Sequence, residues 1–346
     1  MSEKNKGFKA FKIIALILLL AVTIVGWLGY KAFIAPSVTQ DQEYLFINSK
    51  DSYSDVLAKI EKQHIVQNVR LFEYAAQAMD YHTMVKPGRY KLTADMSNRD
   101  LIGKLRGGYQ DAIKFRFENL RHRENFAALL GKSFEADSST FAKILNNQEV
   151  AISYGFTQEN FFSMFIPNTY EVYWNTAPDK IIERFKDEYD NFWTQERKQK
   201  AQELSLTQQE VSTLASIVKG EALHKDEMPK IAGLYINRLH KGILLQADPT
   251  VIFANNDFTI RRVLYKHLEI DNPYNTYKYA GLPPGPIMLP SIASIDAVLN
   301  YASHDYIYMC AKDDFSGYHN FAKTQSEHLV NARKFQRALD LRNIKK

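Results

Sequence analysis

The sequence has little of what disulfide-bonded, metal-binding or nucleotide-binding proteins require. Cys310 is the only cysteine among 346 residues, so no disulfide can form within the chain. The nine histidines include no HExxH or similar spacing. There is also no phosphate-binding glycine loop and no serine in a nucleophile elbow. These absences argue against metalloprotease, nucleotide-binding and serine-hydrolase classes, and we predict no metal and no cofactor.

Charge of either sign is not in large excess. The chain has 44 Lys and Arg residues against 39 Asp and Glu, a net charge of +5. A small, scattered surplus gives weak support to nucleic-acid binding, and we predict no nucleic-acid partner. Hydrophobic residues make up 45% of the chain, and 20 Tyr and 21 Phe raise the aromatic share to 13%. That amount of apolar side chain supports a large core and excludes disorder throughout.

One long uncharged run lies near the N-terminus. Residues 13–30 contain no charged side chain, and about eighteen such residues are close to the minimum for a membrane-spanning helix. Four lysines precede the run, which favours a cytoplasmic tail at residues 1–12. A cleaved signal peptide is the alternative, but residues 27–31 offer no small-x-small cleavage site. We predict a single-pass helix in the cytoplasmic (inner) membrane, with the rest of the chain periplasmic or extracytoplasmic.

A short polar connector at residues 36–42 leads into a small module at residues 43–108. Its predicted elements are a strand at 44–47, helices at 52–62 and 68–79, a strand at 89–92, and a helix from Ser97 to the glycine pair 107–108. This order and size suggest a LysM-like module that binds glycan, although a simple spacer would show the same pattern. The glycine pair is the predicted boundary with residues 109–346.

Residues 109–346 are predicted to be mostly helical as far as residue 200, and their signals become sharper after that. Capping boxes, a Thr with a Glu three residues later, open helices at Thr207 and Thr324. The other predicted elements are helices at 227–241 and 294–301, strands at 306–312 and 319–322, and irregular proline-rich chain at 271–291. Helices mixed with a few short strands place the chain in the α+β class.

One carboxylate falls on an apolar helix face. Ile217 and Val218 mark the buried face of the helix that Thr207 opens, and Glu221 follows at helical spacing on the same face. Loss of hydration there favours the protonated carboxyl group, which can donate a proton to a glycosidic oxygen. The alternative is a buried glutamate that pairs with a cation such as Arg238 for structure alone.

Polar side chains and proline turns alternate in the segments that follow. Amides, hydroxyls and tyrosine rings suit a sugar, whose hydroxyls need hydrogen bonds and whose flatter faces stack on aromatic rings. A long loop inside a compact domain is more often functional, although prolines can also only pin such a loop against a core. The candidate substrate-binding residues are Tyr235, Asn237, Arg238, Gln246, Asp248, Thr250, Tyr274, Asn275, Thr276, Tyr277 and His319.

Together these segments resemble the YceG-like endolytic murein transglycosylases, the MltG family. The resemblance is dense over residues 205–330, and the apolar helix and small module precede it in the order usual for the family. Several ordered blocks at matching spacing are more specific than any single motif. The blocks that carry it are 214–221, 231–239, 245–252, 274–277 and 281–287, with a weaker match at 165–171.

The resemblance implies a mixed α+β catalytic domain at residues 109–346 with Glu221 as the single acid/base. Such a lytic transglycosylase would cut the MurNAc-GlcNAc bond within nascent peptidoglycan glycan strands, leave 1,6-anhydroMurNAc ends and limit strand length. Glu221 would protonate the leaving oxygen and then deprotonate the C6 hydroxyl. The implied partners are glycan strands, the membrane and penicillin-binding peptidoglycan synthases.

Two alternatives to this function remain. A non-catalytic glycan-binding scaffold of the envelope would not need Glu221. A conventional glycan hydrolase would need a second carboxylate. Asp248 is the local candidate for one, but an Asp before Pro at a helix start is more simply an N-cap.

A few positions depart from the family's pattern. Lys219 replaces an acidic residue two positions before Glu221. Helical spacing puts Lys219 about 200° around the helix from Glu221, so we expect it in solvent. Residues 117–121 lack the expected Pro-Glu-Gly turn, and residues 289–291 replace Asn-Pro-Gly.

Overall fold

The computed structural model describes residues 2–260 and 262–342, with side chains from residue 8 onward. These residues combine many helices with three two-stranded sheets, a mixed α and β content as predicted. The helices are α1 (Ser2–Phe33), α2 (Tyr53–Lys62), α3 (Val69–Ala78), α4 (Asn98–Gly107), α5 (Arg123–Ser133), α6 (Ser138–Leu145), α7 (Gln148–Ser153), α8 (Pro178–Phe192), α9 (Gln195–Glu203), α10 (Gln208–Glu221), α11 (Met228–His240), α12 (Asp248–Ala254), α13 (Tyr265–Leu268), α14 (Ile292–Leu299) and α15 (Gln325–Leu341). The strands are β1 (Tyr44–Ile47), β2 (Gly88–Lys91), β3 (Ile113–Arg116), β4 (Thr169–Val172), β5 (Tyr308–Ala311) and β6 (His319–Ala322).

The chain divides into two compact units. The first extends to Lys114 and takes in Ser133–Glu135 and Glu171–Thr176. The second contains Phe115–Lys132, Ala136–Tyr170 and the chain from Ala177 onward. Each unit has its own apolar core, and the elements that carry the candidate site all belong to the second.

Helix α1 contains the predicted apolar run and extends beyond it at both ends. Its Phe8–Phe33 segment has 26 residues with a mean hydropathy of 2.5 and none of its apolar window buried, so it is long and apolar enough to cross a membrane. Four lysines precede the run. The side chains of Lys9 and Lys12 are among those described, and the side chains of Lys4 and Lys6 lie outside the described ones. The end of α1 is fixed to the first unit, because Asn98 Nδ2 donates to the Ala32 carbonyl at 3.0 Å.

The segment predicted as a polar connector is packed into the first unit. The Ser37 and Val38 amides both donate to the Met96 carbonyl, at 2.9 and 3.1 Å, and Val38 is 3% exposed. Beyond it, β1 pairs antiparallel with β2, with Tyr44 opposite Lys91. Capping boxes begin α2 and α4, and α4 closes on Gly108, whose φ of +71° suits a glycine. The predicted strands and helices of this module are confirmed to within about two residues.

The second unit is organised around α10. Every residue of α10 from Val211 to Val218 is buried, and the helix packs against α11, α12 and α14. Within this buried stretch, the Ser216 hydroxyl donates to the Thr213 carbonyl at 2.7 Å and accepts from the Ile287 amide at 3.0 Å. The second bond attaches the proline-rich loop to α10. Strands β5 and β6 form an antiparallel hairpin, with Tyr308 opposite Ala322.

Candidate active site

Glu221 is the last residue of α10 and reaches its place because a glycine precedes it. A Cβ atom on Gly220 would lie 2.9 Å from Pro249 Cβ and 3.1 Å from Pro249 Cγ, both closer than ordinary contact. The missing side chain lets the end of α10 approach the start of α12. The Glu221 and Asp248 side chains therefore line the same cavity.

This cavity has a volume of about 300 Å³ and is lined by residues from five parts of the second unit. They are the end of α10, one face of α11, the chain around the start of α12, the loop residue Tyr277, and the β5–β6 hairpin. Six of the predicted substrate-binding residues line it: Tyr235, Arg238, Gln246, Asp248, Tyr277 and His319. All of the lining residues lie between Glu221 and His319 in the sequence.

The carboxyl group of Glu221 keeps its proton to a higher pH than an ordinary glutamate does. Burial raises its pKa to about 7, and the charge of Asp248 acts in the same direction. The Tyr235 hydroxyl donates to Glu221 Oε1 at 2.8 Å and partly opposes this rise. Burial also raises the pKa of Tyr235 well above its ordinary value, so this hydroxyl keeps its proton.

The alternative of a structural ion pair between Glu221 and Arg238 is not what the structure contains. The Arg238 guanidinium donates to the backbone carbonyls of Ile307, Leu244 and Leu245 at 2.6 to 2.9 Å. Among the described residues, no lysine or arginine forms a salt bridge with Glu221. Arg238 instead holds the chain before α12 against the start of β5.

Asp248 occupies the first turn of α12 but does not cap it, so the N-cap interpretation is wrong. The cap residue is Ala247, with no side-chain hydrogen bond, and Asp248 Oδ1 accepts from the Tyr277 hydroxyl at 2.7 Å. Burial raises the pKa of Asp248, against the effect of that hydrogen bond. The Asp248 side chain lines the cavity beside Glu221 instead.

The other predicted substrate-binding residues lie outside the cavity wall. Asn237 donates to the carbonyls of His304 and Tyr306, which ties α11 to the chain before β5. The side chains of Asn275, Thr276 and Thr250 are at most 1% exposed. The hydroxyls of Thr250 and Thr276 lie 2.7 Å apart and connect α12 to the loop. These residues shape the loop that carries Tyr277.

Tyr274 is also away from Glu221. It lines a separate cavity of about 170 Å³ together with Arg123 and Phe253, and its ring packs 4.7 Å from that of Phe253. Tyr274 and Tyr277 are only three positions apart, and the sequence did not show that they line different cavities. In an irregular loop the direction of each side chain depends on the tertiary contacts rather than on a repeat.

The expectation that Lys219 lies in solvent is wrong. Its side chain is partly buried and Nζ donates to the Leu289 carbonyl at 3.1 Å. Burial lowers its pKa. Helical spacing did place Lys219 away from Glu221. The proline-rich loop covers that face of α10, however, and its Leu289 carbonyl accepts the hydrogen bond from the ammonium group.

The apolar part of the cavity wall was not predicted from the sequence. Leu234, Leu245 and the β5 residues Met309, Cys310 and Ala311 line it. Burial raises the pKa of the Cys310 thiol. The strand predicted at 306–312 was the one signal for this wall, because a short strand beside a polar loop can form a flat side of a cavity. Nothing in its residue types indicated that it faces Glu221.

A larger cavity of about 700 Å³ lies between the α9–α10 junction, α11 and residues 281–284. It shares no lining residue with the Glu221 cavity. Its carboxylate, Glu210, is occupied in the capping box of α10, where Oε2 accepts from the Thr207 amide and hydroxyl, each at 2.8 Å. The Glu221 cavity therefore has the better arrangement for proton transfer.

The fold and the cavity together define an α+β protein with a site that can both give and take a proton. The sequence matches the YceG-like family over residues 45–334, and the chain belongs to that family. The resemblance stated from the sequence is confirmed.

Similar proteins agree with this assignment. The chain is 47% identical over 116 residues to the endolytic murein transglycosylase of Bacillus subtilis, covering 34% of this chain and 31% of that one. It is 24% identical over 358 residues to the endolytic murein transglycosylase of Streptococcus pneumoniae R6, covering 92% of this chain. The match spans 64% of the length of that relative. A 2.6 Å crystal structure of a yceG-like protein from Listeria monocytogenes superposes with a TM-score of 0.56 at 25% identity, covering 83% of this chain and 97% of that one.

Proposed function

We propose that the chain is an endolytic peptidoglycan lytic transglycosylase with Glu221 as its acid/base. The observation that carries the proposal is the carboxyl group of Glu221, which has a pKa near 7 and a neutral tyrosine as its hydrogen-bond partner. Such a group is protonated in roughly half of the molecules at neutral pH, so it can serve first as acid and then as base.

The substrate supplies its own nucleophile in this reaction. Neutral Glu221 donates its proton to the glycosidic oxygen as the bond from that oxygen to C1 of MurNAc breaks. The resulting carboxylate accepts the proton of the C6 hydroxyl, whose oxygen bonds to C1 and closes the 1,6-anhydro ring. The proton on Glu221 is thereby restored and no water is consumed, so one carboxylate suffices.

A conventional glycan hydrolase is the second candidate, because Asp248 shares the cavity with Glu221. A hydrolase uses a second carboxylate as base or nucleophile. The Asp248 carboxylate is partly occupied by the Tyr277 hydroxyl, and its pKa is raised by burial. The hydrogen bond from Tyr277 occupies one oxygen of this carboxylate and lowers its basicity, which favours the transglycosylase.

The wider setting belongs to the same proposal. With α1 as a single-pass anchor and its N-terminus in the cytoplasm, the chain would act on nascent strands outside the cytoplasmic membrane and limit their length. Residues 43–108 would act as a LysM-like glycan-binding module and residues 109–346 as the catalytic domain. Penicillin-binding synthases are the proposed protein partners. The substrate-binding residues would include Tyr235, Arg238, Gln246, Asp248 and Tyr277.

The experiment is digestion of purified sacculi by the full chain in detergent micelles, with the products identified by mass. The test variant is Glu221→Gln, which keeps the size of the side chain and removes its proton chemistry. The matched control is Glu269→Gln, since Glu269 is an exposed carboxylate of the same unit, outside the Glu221 cavity.

We expect internal fragments with 1,6-anhydroMurNAc ends from the wild type and the control, and none from Glu221→Gln. Products with reducing-end MurNAc would identify a hydrolase and give Asp248 the second role. Equal products from Glu221→Gln, or none from a folded wild type, would reject Glu221 as the acid/base and favour the scaffold.

A further inference from the structure

Glu227 is a buried carboxylate that the proposed acid/base step does not use. It is 6% exposed and lies in the 3-10 turn Lys225–Glu227 between α10 and α11. Its Oε1 accepts from the His319 backbone N–H at 2.8 Å, and its Oε2 lies 2.8 Å from His319 Nδ1. Both oxygens of one buried carboxylate thus hold one residue, at the start of β6.

This geometry determines which ring nitrogen of His319 carries a proton. An ionised carboxylate only accepts hydrogen bonds, so Nδ1 donates to Glu227 Oε2. Elsewhere in the described chain no lysine or arginine pairs with Glu227, so the two N–H groups of His319 compensate its burial.

The second ring nitrogen is free for a molecule in the cavity. His319 lines the Glu221 cavity. No described residue forms a hydrogen bond with its Nε2 atom, whereas Nδ1 is fully engaged. In the Nδ1–H tautomer, Nε2 presents a lone pair and accepts hydrogen bonds.

We propose that Glu227 is a positioning residue for substrate recognition, acting through His319. It holds the ring in the Nδ1–H tautomer, so that Nε2 accepts a hydrogen bond from a hydroxyl or acetamido N–H of an N-acetylated sugar. The identity of this ligand rests on the proposed function, but the tautomer does not.

A purely structural role for Glu227 can be separated from this one, because other contacts also hold the hairpin. The Tyr318 hydroxyl lies 3.1 Å from Asp226 Oδ2, and the Tyr318 ring stacks on His224 at 4.0 Å. Tyr318→Phe removes the first of these contacts and leaves the Glu227–His319 pair intact. It is therefore the matched control for a loosened hairpin.

Glu227→Gln changes the tautomer while keeping the shape of the side chain. A glutamine in the same position has one oxygen, which the His319 backbone N–H requires as acceptor. Its NH₂ group then faces Nδ1, which must accept, so the ring proton moves to Nε2. The cavity would then contain a donor where the wild type has an acceptor.

The first measurement is ¹⁵N NMR of the full chain in detergent, labelled at histidine, with His319→Gln used to assign the signals. We expect a proton on Nδ1 in the wild type and in Tyr318→Phe, and on Nε2 in Glu227→Gln. A wild-type proton on Nε2, or an unchanged tautomer in Glu227→Gln, overturns the proposal. These spectra need no catalytic turnover, so they decide the role of Glu227 even if the proposed function fails.

The second measurement is the kinetics of glycan cleavage. We expect Glu227→Gln to raise KM about tenfold with a smaller change in kcat, the loss of roughly one hydrogen bond to substrate. His319→Ala should have a similar effect, and the double variant should be no worse than His319→Ala alone. Additive losses, or a tenfold loss in Tyr318→Phe, would show that Glu227 acts on the hairpin and not through His319.

Discussion

The end of α10 and the start of α12 each present a carboxyl group that accepts a hydrogen bond from one tyrosine hydroxyl, yet the causes that raise the two pKa values differ. Glu221 is bonded by Tyr235 and has a pKa of about 7, raised by burial and by the charge of Asp248. Asp248 is bonded by Tyr277 and its pKa is raised by burial alone. Burial raises both pKa values, but a neighbouring charge adds to the rise only at Glu221, which is therefore the better placed of the two to donate a proton.

The largest expected effect tests this division of roles directly. Glu221→Gln should lower the rate of glycan cleavage by at least about 10³-fold, because it removes the general acid. Asp248→Asn should lower it about tenfold, since an amide keeps the size and the contact with Tyr277 but not the charge. The measurement is the initial rate of anhydro-product formation at pH 7. Comparable losses in both variants would make Asp248 a second catalytic carboxylate.

Glu221 should lower the stability of the folded chain at neutral and higher pH, although it is required for activity. Its pKa in the folded chain, about 7, lies above the ordinary 4.5, so the folded chain keeps a proton that the unfolded chain has released between these pH values. The free energy of unfolding contributed by this group therefore falls as pH rises through that window.

Glu221→Gln abolishes that titration. The free energy of unfolding of the variant, relative to that of the wild type, should therefore increase with pH, by up to about 3 kcal/mol between pH 4 and pH 8. Thermal unfolding of the full chain in detergent at the two pH values measures this difference. Parallel shifts of Tm in both proteins would mean that Glu221 is not buried as a neutral group.

The close approach of α10 and α12 can be tested at Gly220. Gly220→Ala places a Cβ atom against Pro249 and should lower the free energy of unfolding by about 1 to 3 kcal/mol. It should also lower activity, because the two carboxyl groups move apart. Gly103→Ala is the control, since Gly103 lies in α4 with no atom within 4 Å of the added Cβ. This control should stabilise the chain by up to about 1 kcal/mol.

The smallest expected effects are two pH shifts of opposite sign. Activity that requires protonated Glu221 is lost as pH rises through its pKa. Tyr235→Phe removes a hydrogen bond that lowers this pKa, so the alkaline limb of kcat/KM should move to higher pH. Asp248→Asn removes a charge that raises the pKa, so the limb should move to lower pH. Shifts in one direction for both variants would contradict the roles given to these two neighbours.

Much of the fold could be predicted because its signals are local. The capping boxes at Thr207 and Thr324 begin α10 and α15 as predicted, and Gly242, with φ of +64°, follows the end of α11. The strand predicted at 319–322 matches β6. Such features depend on residues three or four positions apart, which the sequence displays directly.

The candidate site was less predictable because tertiary contacts decide it. Nothing near Lys219 in the sequence indicates that the Leu289 carbonyl will accept a hydrogen bond from its ammonium group. Asn237 and Tyr235 lie on one helix, two positions apart, and only the packing of α11 directs one of them to Glu221. Glu227 was missed because its partner His319 lies 92 residues away. A carboxylate at the start of a helix can be read from a sequence, but neither its burial nor its partner can.

Cys310 is a unique site for attaching a thiol-reactive label inside the cavity. It is the only thiol in the sequence and it lines the Glu221 cavity. Its raised pKa makes alkylation slow at neutral pH and faster as the pH rises, since the thiolate is the reactive form. A fluorophore or spin label coupled there in the unaltered chain would report when a glycan enters and leaves the cavity.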